Sequence, residues 1–174
     1  ADTGRALGPH ARRGGPGEGE GGFVVGADDQ AVHRVRHAAV EAPPGAGEKI
    51  APATASDAEI DAFLKEHAPD SSVYPGNDEI LQWVEVHDEG ELVAVAALCR
   101  WESGRVVISS AATHTDRRGK GFGKQLIEKC LIAGSQLGEE FLCLGVRHRN
   151  ESAQRLYAST GFTLMHNFSY CERR

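Results

Sequence analysis

No two of the four cysteines (Cys99, Cys130, Cys143, Cys171) stand close enough in sequence to form a CxxC clip. Neither a zinc ribbon nor a dithiol redox motif is therefore written into this chain. Each cysteine sits singly in an apolar run, which reads as a buried free thiol and fits a reducing cytoplasm. A basic balance is missing too: the net charge is −6, whereas nucleic-acid-binding domains carry a basic surface. Nucleic acid is not an expected partner. The longest unbroken apolar run, Leu92 to Cys99, falls far short of the ~20 residues needed to span a bilayer. The N-terminal stretch lacks the apolar core of a secretion signal, so no membrane association is expected either.

What is present is ordinary for a globular chain: 174 residues, 40% hydrophobic and 25% charged. That is enough for one well-buried domain with an appendage. Eight glycines crowd residues 1–22, a stretch with too little apolar surface to offset its ordering entropy, and we expect a flexible tail there. Residues 23–48 form an N-terminal extension. In it "FVVG" (Phe23–Gly26) suggests one short strand, and "DDQAVHRVRHAAV" suggests a helix with Asp28 or Asp29 as N-cap and Val32, Val35 and Ala39 on one side. "APPGAGE" (Ala42–Glu48) is a linker. The main domain is expected over residues 49–174.

Within it, "KIAPAT" (Lys49–Thr54) is a short strand candidate. "SDAEIDAFLKEH" opens with Ser56 and, three residues on, Glu59, a capping box, and Ile60, Phe63 and Leu64 supply its apolar face. Three strand-like runs follow, "ILQWVEVH", "ELVAVAALCRW" and "RVVISSAATHT". Their connectors "DEG" and "ESG" are short enough for hairpins, which predicts an antiparallel meander. The pattern then changes to a glycine loop, a helix carrying Leu126, Ile127, Cys130 and Leu131, and the short apolar run "FLCLGV", expected to be covered on both faces. Asn150 caps a second helix that ends at Gly161, and "FTLMHNFSYC" closes the chain as a strand. Strand–helix–strand implies a right-handed crossover and a parallel pair. The fold class is α/β: a mixed sheet with helices on both faces.

The glycine loop, "RRGKGFGK" (Arg117–Lys124), packs three glycines and four cations into eight residues at a helix start. Converging backbone N–H groups and positive charge there suit an anion, above all a phosphate. A Walker P-loop requires glycine where Arg118 stands and a hydroxyl where Gln125 stands. A dinucleotide fold requires GxGxxG after an early strand, whereas this loop reads GxGxG after a meander. Alone, the loop would be a glycine-rich turn with solvated cations.

The remaining pattern, Arg/Gln-x-x-Gly-x-Gly, is met by Arg118, Gly121 and Gly123, and here the sequence resembles the GNAT superfamily of N-acetyltransferases over roughly residues 49 to 171. A second signature supports it: "NESAQRLYASTGF", with Asn150, Ala153, Leu156, Tyr157, Gly161 and Phe162 at the family's spacing. The resemblance implies acetyl-CoA as co-substrate, no metal, and direct acetyl transfer to the amine of a small molecule or amino acid. It also implies a pyrophosphate cradle made by Arg118, Gly119, Lys120, Gly121, Phe122, Gly123 and Lys124. Ala111, Ala112 and Thr113 match positions that hold the acyl group and pantetheine arm through backbone groups, where an N–H would polarise the thioester carbonyl. Ser109 and Ser110 mark either the family's bulge in that strand or small residues at a tight helix–sheet contact. Asn150 is N-cap, pantetheine partner, or both. Tyr157 matches the acid that protonates the departing thiolate, and it also fits a core aromatic.

The resemblance breaks at Gly145, where several family members carry a glutamate base. His114, whose ordinary pKa suits the task, Glu85 and a water chain are alternatives, and the base stays open. A silent acyl-CoA-binding module, and a protein N-terminal or lysine acetyltransferase, are the competing readings. Family members usually end in two strands after the second signature, the last inserting beside the "FLCLGV" strand. Only one strand fits after Gly161 here, which leaves a sheet position for "FVVG" to fill, within the chain or across a homodimer, unless residues 1–48 are the remnant of a preceding domain that packs nowhere in particular.

Overall fold

The computed structural model describes residues 32–41 and 49–171. The expected tail, the "FVVG" stretch and the linker Ala42–Glu48 lie outside the described residues. Strands are β1 (Val32–Glu41), β2 (Ile80–Asp88), β3 (Glu91–Arg100), β4 (Val106–Thr113), β5 (Phe141–Arg147) and β6 (Thr163–Cys171). Helices are α1 (Asp57–His67), α2 (Phe122–Gln136) and α3 (Glu151–Ser159). The strands form one mixed sheet in the order β2-β3-β4-β5-β1-β6.

The meander is β2-β3-β4, antiparallel throughout. Glu89 and Gly90 join β2 to β3 with φ of 52° and 88°, the left-handed pair that a tight hairpin turn demands. β3 lies inside the sheet, and its alternation serves two cores. Ala94, Ala96 and Leu98 join Leu126, Ile127 and Cys130 of α2, while Val95, Ala97 and Cys99 join Ile60, Phe63 and Leu64 of α1. Helices on both faces explain why its apolar run is unbroken. Ser56 Oγ accepts from Glu59 N–H at 3.3 Å and starts α1 where the capping box places it.

Three expectations are corrected. Residues 28–40 do not make a helix in their described part; Val32–Glu41 is a strand, paired antiparallel to β5 from Val35↔Arg147 to Glu41↔Phe141 and to β6 on its other side. It fills the sheet position that one C-terminal strand leaves vacant, in place of "FVVG". The segment's helical spacing is a weak local preference. The unpaired N–H and C=O groups of β5 supply a larger, non-local reason for it to extend. Second, Lys49–Thr54 is not a strand. Its N–H groups are taken by side chains instead, Ile50 by Gln136 Oε1 at 3.1 Å and Thr54 by Glu85 Oε1 at 2.6 Å. Third, β5 is covered on one face only among the described residues: Leu142, Leu144 and Val146 are buried with α2, but Phe141 is 51% exposed. Cys99 and Cys130 are buried free thiols as expected, whereas Cys143, on the open side of β5, is half-buried.

Candidate active site

β4 and β5 run parallel for only two register pairs, Val107↔Cys143 and Ile108↔Leu144. Beyond them the strands separate. β4 bulges at that point, since Ala96 of β3 faces both Ser110 and Ala111, between the pairs Val95↔Ala112 and Ala97↔Ser109. Ser110 takes a left-handed φ of 50°, a strained state for a non-glycine residue. Its hydroxyl is clamped on the Val73 backbone, accepting from the N–H at 3.0 Å and donating to the carbonyl at 2.7 Å. Of the two readings left open for Ser109 and Ser110, the bulge is the one present, and it turns Ala111–Thr113 toward the gap between the strands.

The gap is a cleft of about 570 Å³. One wall is Ala111, Ala112 and Thr113; the opposite wall is Asn150, Ala153, Leu156 and Tyr157; Arg118, Gly119, Gly121, Gly123 and Lys124 close one end. Helix α2 begins there from Gly121, whose φ of 92° only glycine adopts without strain, and it has neither a side-chain cap nor an acid in its first turn. The first residue to donate into the helix is Gln125, to Gly121 O at 3.0 Å. The N–H groups of Phe122, Gly123 and Lys124 precede that bond and have no helix carbonyl to meet. Gly123 is small for a different reason: a Cβ there would lie 3.2 Å from Leu156 Cδ2 and 3.5 Å from Thr113 Oγ1. Two glycines of one motif thus serve backbone shape and close helix approach respectively.

The four cations of the loop separate into different tasks. Arg117 pairs with Asp88 at 3.0 Å and Glu91 at 3.4 Å, which ties the loop to the β2–β3 turn. Arg118 donates to Thr113 O at 3.3 Å and His67 O at 2.8 Å, so its guanidinium braces the cleft wall. Lys124 lines the cleft beside Glu128, 3.8 Å away. Lys120 and Phe122 do not line it; Phe122 packs against the core.

A second cleft, about 370 Å³, adjoins the first and shares Ala68, Asp70, Ala111, Asn150 and Tyr157 with it. The two meet at Tyr157, whose ring lies 5.9 Å from Phe162. Burial, with the Cys130 thiol nearby, pushes the Tyr157 hydroxyl up to about 12. Asn150 Oδ1 accepts from Ala153 N–H at 3.1 Å, so its capping role is realised while it also lines both clefts.

The candidate bases fall elsewhere. Glu85 lines neither cleft. Burial pushes its carboxyl up, but hydrogen bonds from Thr54 and Ala55, with His87 close by, more than reverse this and hold it below its ordinary value. It anchors the approach to α1. His114 also lines neither cleft; its Nδ1 accepts from Asp116 N–H at 3.2 Å and caps the single turn Thr115–Arg117. The histidine that does line the first cleft is His67, 8% exposed, its ring tilted by 40° against that of His114 at 4.1 Å. Its Nδ1 accepts the Thr115 N–H at 3.4 Å, and burial, with the His114 and Arg118 charges, pulls its pKa below the ordinary value. The sequence held one signal for it: His67 falls four residues after Phe63 and three after Leu64, on the buried face of α1. Asp70 and Arg147, which also line the second cleft, carried no such signal.

Among the described residues no helix is long and apolar enough to cross a membrane, and no cluster of His, Cys, Asp and Glu is placed to hold a metal.

Residues 49–162 match the model of the acetyltransferase (GNAT) family. Proteins of Mycobacterium tuberculosis and Mycobacterium bovis, described as uncharacterized N-acetyltransferases, are 35% identical over 78 residues, which is 45% of this chain and 49% of theirs. The matched stretch spans about half the length of these curated relatives. Among solved structures, an acetyltransferase of the GNAT family from Novosphingobium aromaticivorans superposes with a TM-score of 0.63 at 23% identity, over 80% of this chain and 63% of that one. A GCN5-related N-acetyltransferase from Kribbella flavida superposes at 0.60 and 19%, over 82% and 59% of the respective chains. At such identities the likeness is one of fold.

Proposed function

This chain belongs to the GNAT acetyltransferase family, and from that membership we propose that it moves an acetyl group from acetyl-CoA directly to the amine of a small molecule or amino acid. The observation that carries the reading is the bare start of α2, opening on a cleft that meets a second cleft at Tyr157. The N–H groups of Phe122 to Lys124 and the Lys124 ammonium suit a pyrophosphate. The separated strands leave Ala111–Thr113 to hold the pantetheine arm and thioester by backbone groups, with an N–H polarising the thioester carbonyl.

In this reaction the amine nitrogen attacks the thioester carbon. The C–N bond forms, the C–S bond breaks, and the amine gives up a proton. Tyr157 donates its O–H to the sulfur as negative charge develops there. With a hydroxyl pushed up to about 12, it stays protonated at neutral pH, and full transfer of its proton to a thiolate is uphill. Its contribution is then a strong hydrogen bond, and the proton released by the amine keeps the balance. His114 and Glu85 line neither cleft.

The test is thiol release from acetyl-CoA across a panel of amines, amino acids and peptide N-termini. Tyr157→Phe should keep CoA affinity while lowering turnover about ten- to a hundredfold, the loss of one hydrogen bond to a developing charge; unchanged turnover removes Tyr157 from the chemistry. The competing reading, a silent acyl-CoA-binding module, draws on Gly145, which lines the second cleft where several family members carry a glutamate. Tight CoA binding with no turnover on the whole panel would select it.

A further inference from the structure

We propose that the acceptor is a zwitterion, an α-amino acid with an apolar side chain, read by the Asp70–Arg147 pair; the proposal rests on the acetyl-transfer reading above. Asp70 and Arg147 are the charged residues lining the second cleft, Asp70 on the loop after α1 and Arg147 at the end of β5. Arg147 Nη1 and Asp70 Oδ2 stand 2.9 Å apart, with side chains 35% and 61% exposed. An ion pair so exposed contributes little to stability, so it opens cheaply.

What it opens for is decided by charge. A simple cationic amine that takes Asp70 leaves Arg147 without its partner and repels it. A simple carboxylate that takes Arg147 strands Asp70 in the same way. A molecule carrying both groups replaces each half of the pair, ammonium on Asp70 and carboxylate on Arg147, with no charge left over. The walls also set the orientation. Asp70 lines both clefts, whereas Arg147 lines the second alone. The nitrogen is therefore held at the junction beside Ala111 and Tyr157, and the carboxylate is held away from the thioester. Trp101, Val107, Ile108 and Ala111 supply the apolar part of a lining that also holds Ser71, Ser72, Ser109 and Ser110, and about 370 Å³ suits a small molecule. The products are the N-acetyl amino acid, free CoA thiol and one proton released to water.

The experiment compares kcat/KM for leucine and phenylalanine with that for isopentylamine and phenethylamine, the same side chains without the carboxylate, and for the two amino-acid amides. The expected result is a preference of at least about tenfold for the amino acids, one charge-assisted hydrogen-bonded contact's worth of discrimination. Arg147→Gln should collapse that preference toward one through a higher KM for the amino acids, and Arg147→Lys should restore part of it. Amines and amides turned over as well as the amino acids overturn the zwitterion proposal and leave acetyl transfer standing. CoA bound without turnover on any acceptor overturns both. Should the Arg147 variants fail to fold, the wild-type comparison decides alone.

Discussion

Helices α1 and α3 satisfy their own first turns: Ser56 and Asn150 cap them, and Asp57, Glu59 and Glu151 set negative charge against the positive end of each dipole. Helix α2, the longest, does neither. A side-chain cap is worth about 1 kcal/mol, so α2 forgoes a stabilisation that the other two take. The difference teaches where stability was given up and for what. The starts of α2 and α3 both line the first cleft, but Asn150 satisfies the first turn of α3, whereas the first N–H groups of α2 are left without a cap, as the proposed phosphate cradle requires. Its core side is not weak, since Leu126, Ile127 and Cys130 are fully buried, and packing carries the helix that capping does not.

The contrast is broken most severely at the glycines. Gly121→Val forces a β-branched residue into φ 92°, and we expect CoA binding to weaken about a hundredfold, roughly 2.8 kcal/mol. Gly123→Val should do the same by pushing Leu156 and α3 away. Calorimetric affinities matching wild type for both would end the assignment of this loop to phosphate. Lys124→Glu gives α2 the first-turn acid that its neighbours have. It should lower CoA affinity about tenfold while leaving the melting temperature within a few degrees, because the gain from the dipole is offset by repulsion from Glu128.

Smaller effects separate the two capped helices. Ser56→Ala and Asn150→Ala should each cost about 1 kcal/mol in urea unfolding, but only Asn150→Ala should also weaken CoA binding, because only Asn150 lines the clefts. If CoA affinity is untouched in Asn150→Ala, that residue caps and does nothing more. The last effect is confined to alkaline pH. The Tyr157 hydroxyl is raised on folding from 10.0 to about 12, so its stabilising contribution is complete below 10.0 and is lost as pH rises above it, where the unfolded chain deprotonates first. Stability measured across that range should fall less steeply in Tyr157→Phe, with the Cys130 thiol, also pushed up to about 12, supplying the remaining slope.

Much of the site was legible because it is built from short stretches. The cap at Ser56, the cap at Asn150 and the left-handed Gly161 after α3 each depend on a few neighbouring residues, and each lies where the spacing predicted. Ala111–Thr113, Gly119, Gly121, Gly123, Lys124, Asn150 and Tyr157 all reach the clefts. The loop cations were harder to read, since a charge in sequence does not say what will pair with it. Arg117 is drawn to Asp88 and Glu91, and Arg118 to the His67 carbonyl, all in segments distant in the chain.

The amino-acid sequence by itself determined the meander, the helix starts and the order of the two signatures, because period, capping and turn chemistry act within a few residues. Only the tertiary structure decided that Val32–Glu41 is a strand, that His67 rather than His114 lines the first cleft, that Glu85 is an anchor, and that Asp70 meets Arg147. Those outcomes turn on which backbone is left unpaired and which surfaces face each other. A short segment with a weak local preference takes whichever conformation satisfies a neighbour's hydrogen bonds, and that neighbour, β5, lies a hundred or so residues further along the chain.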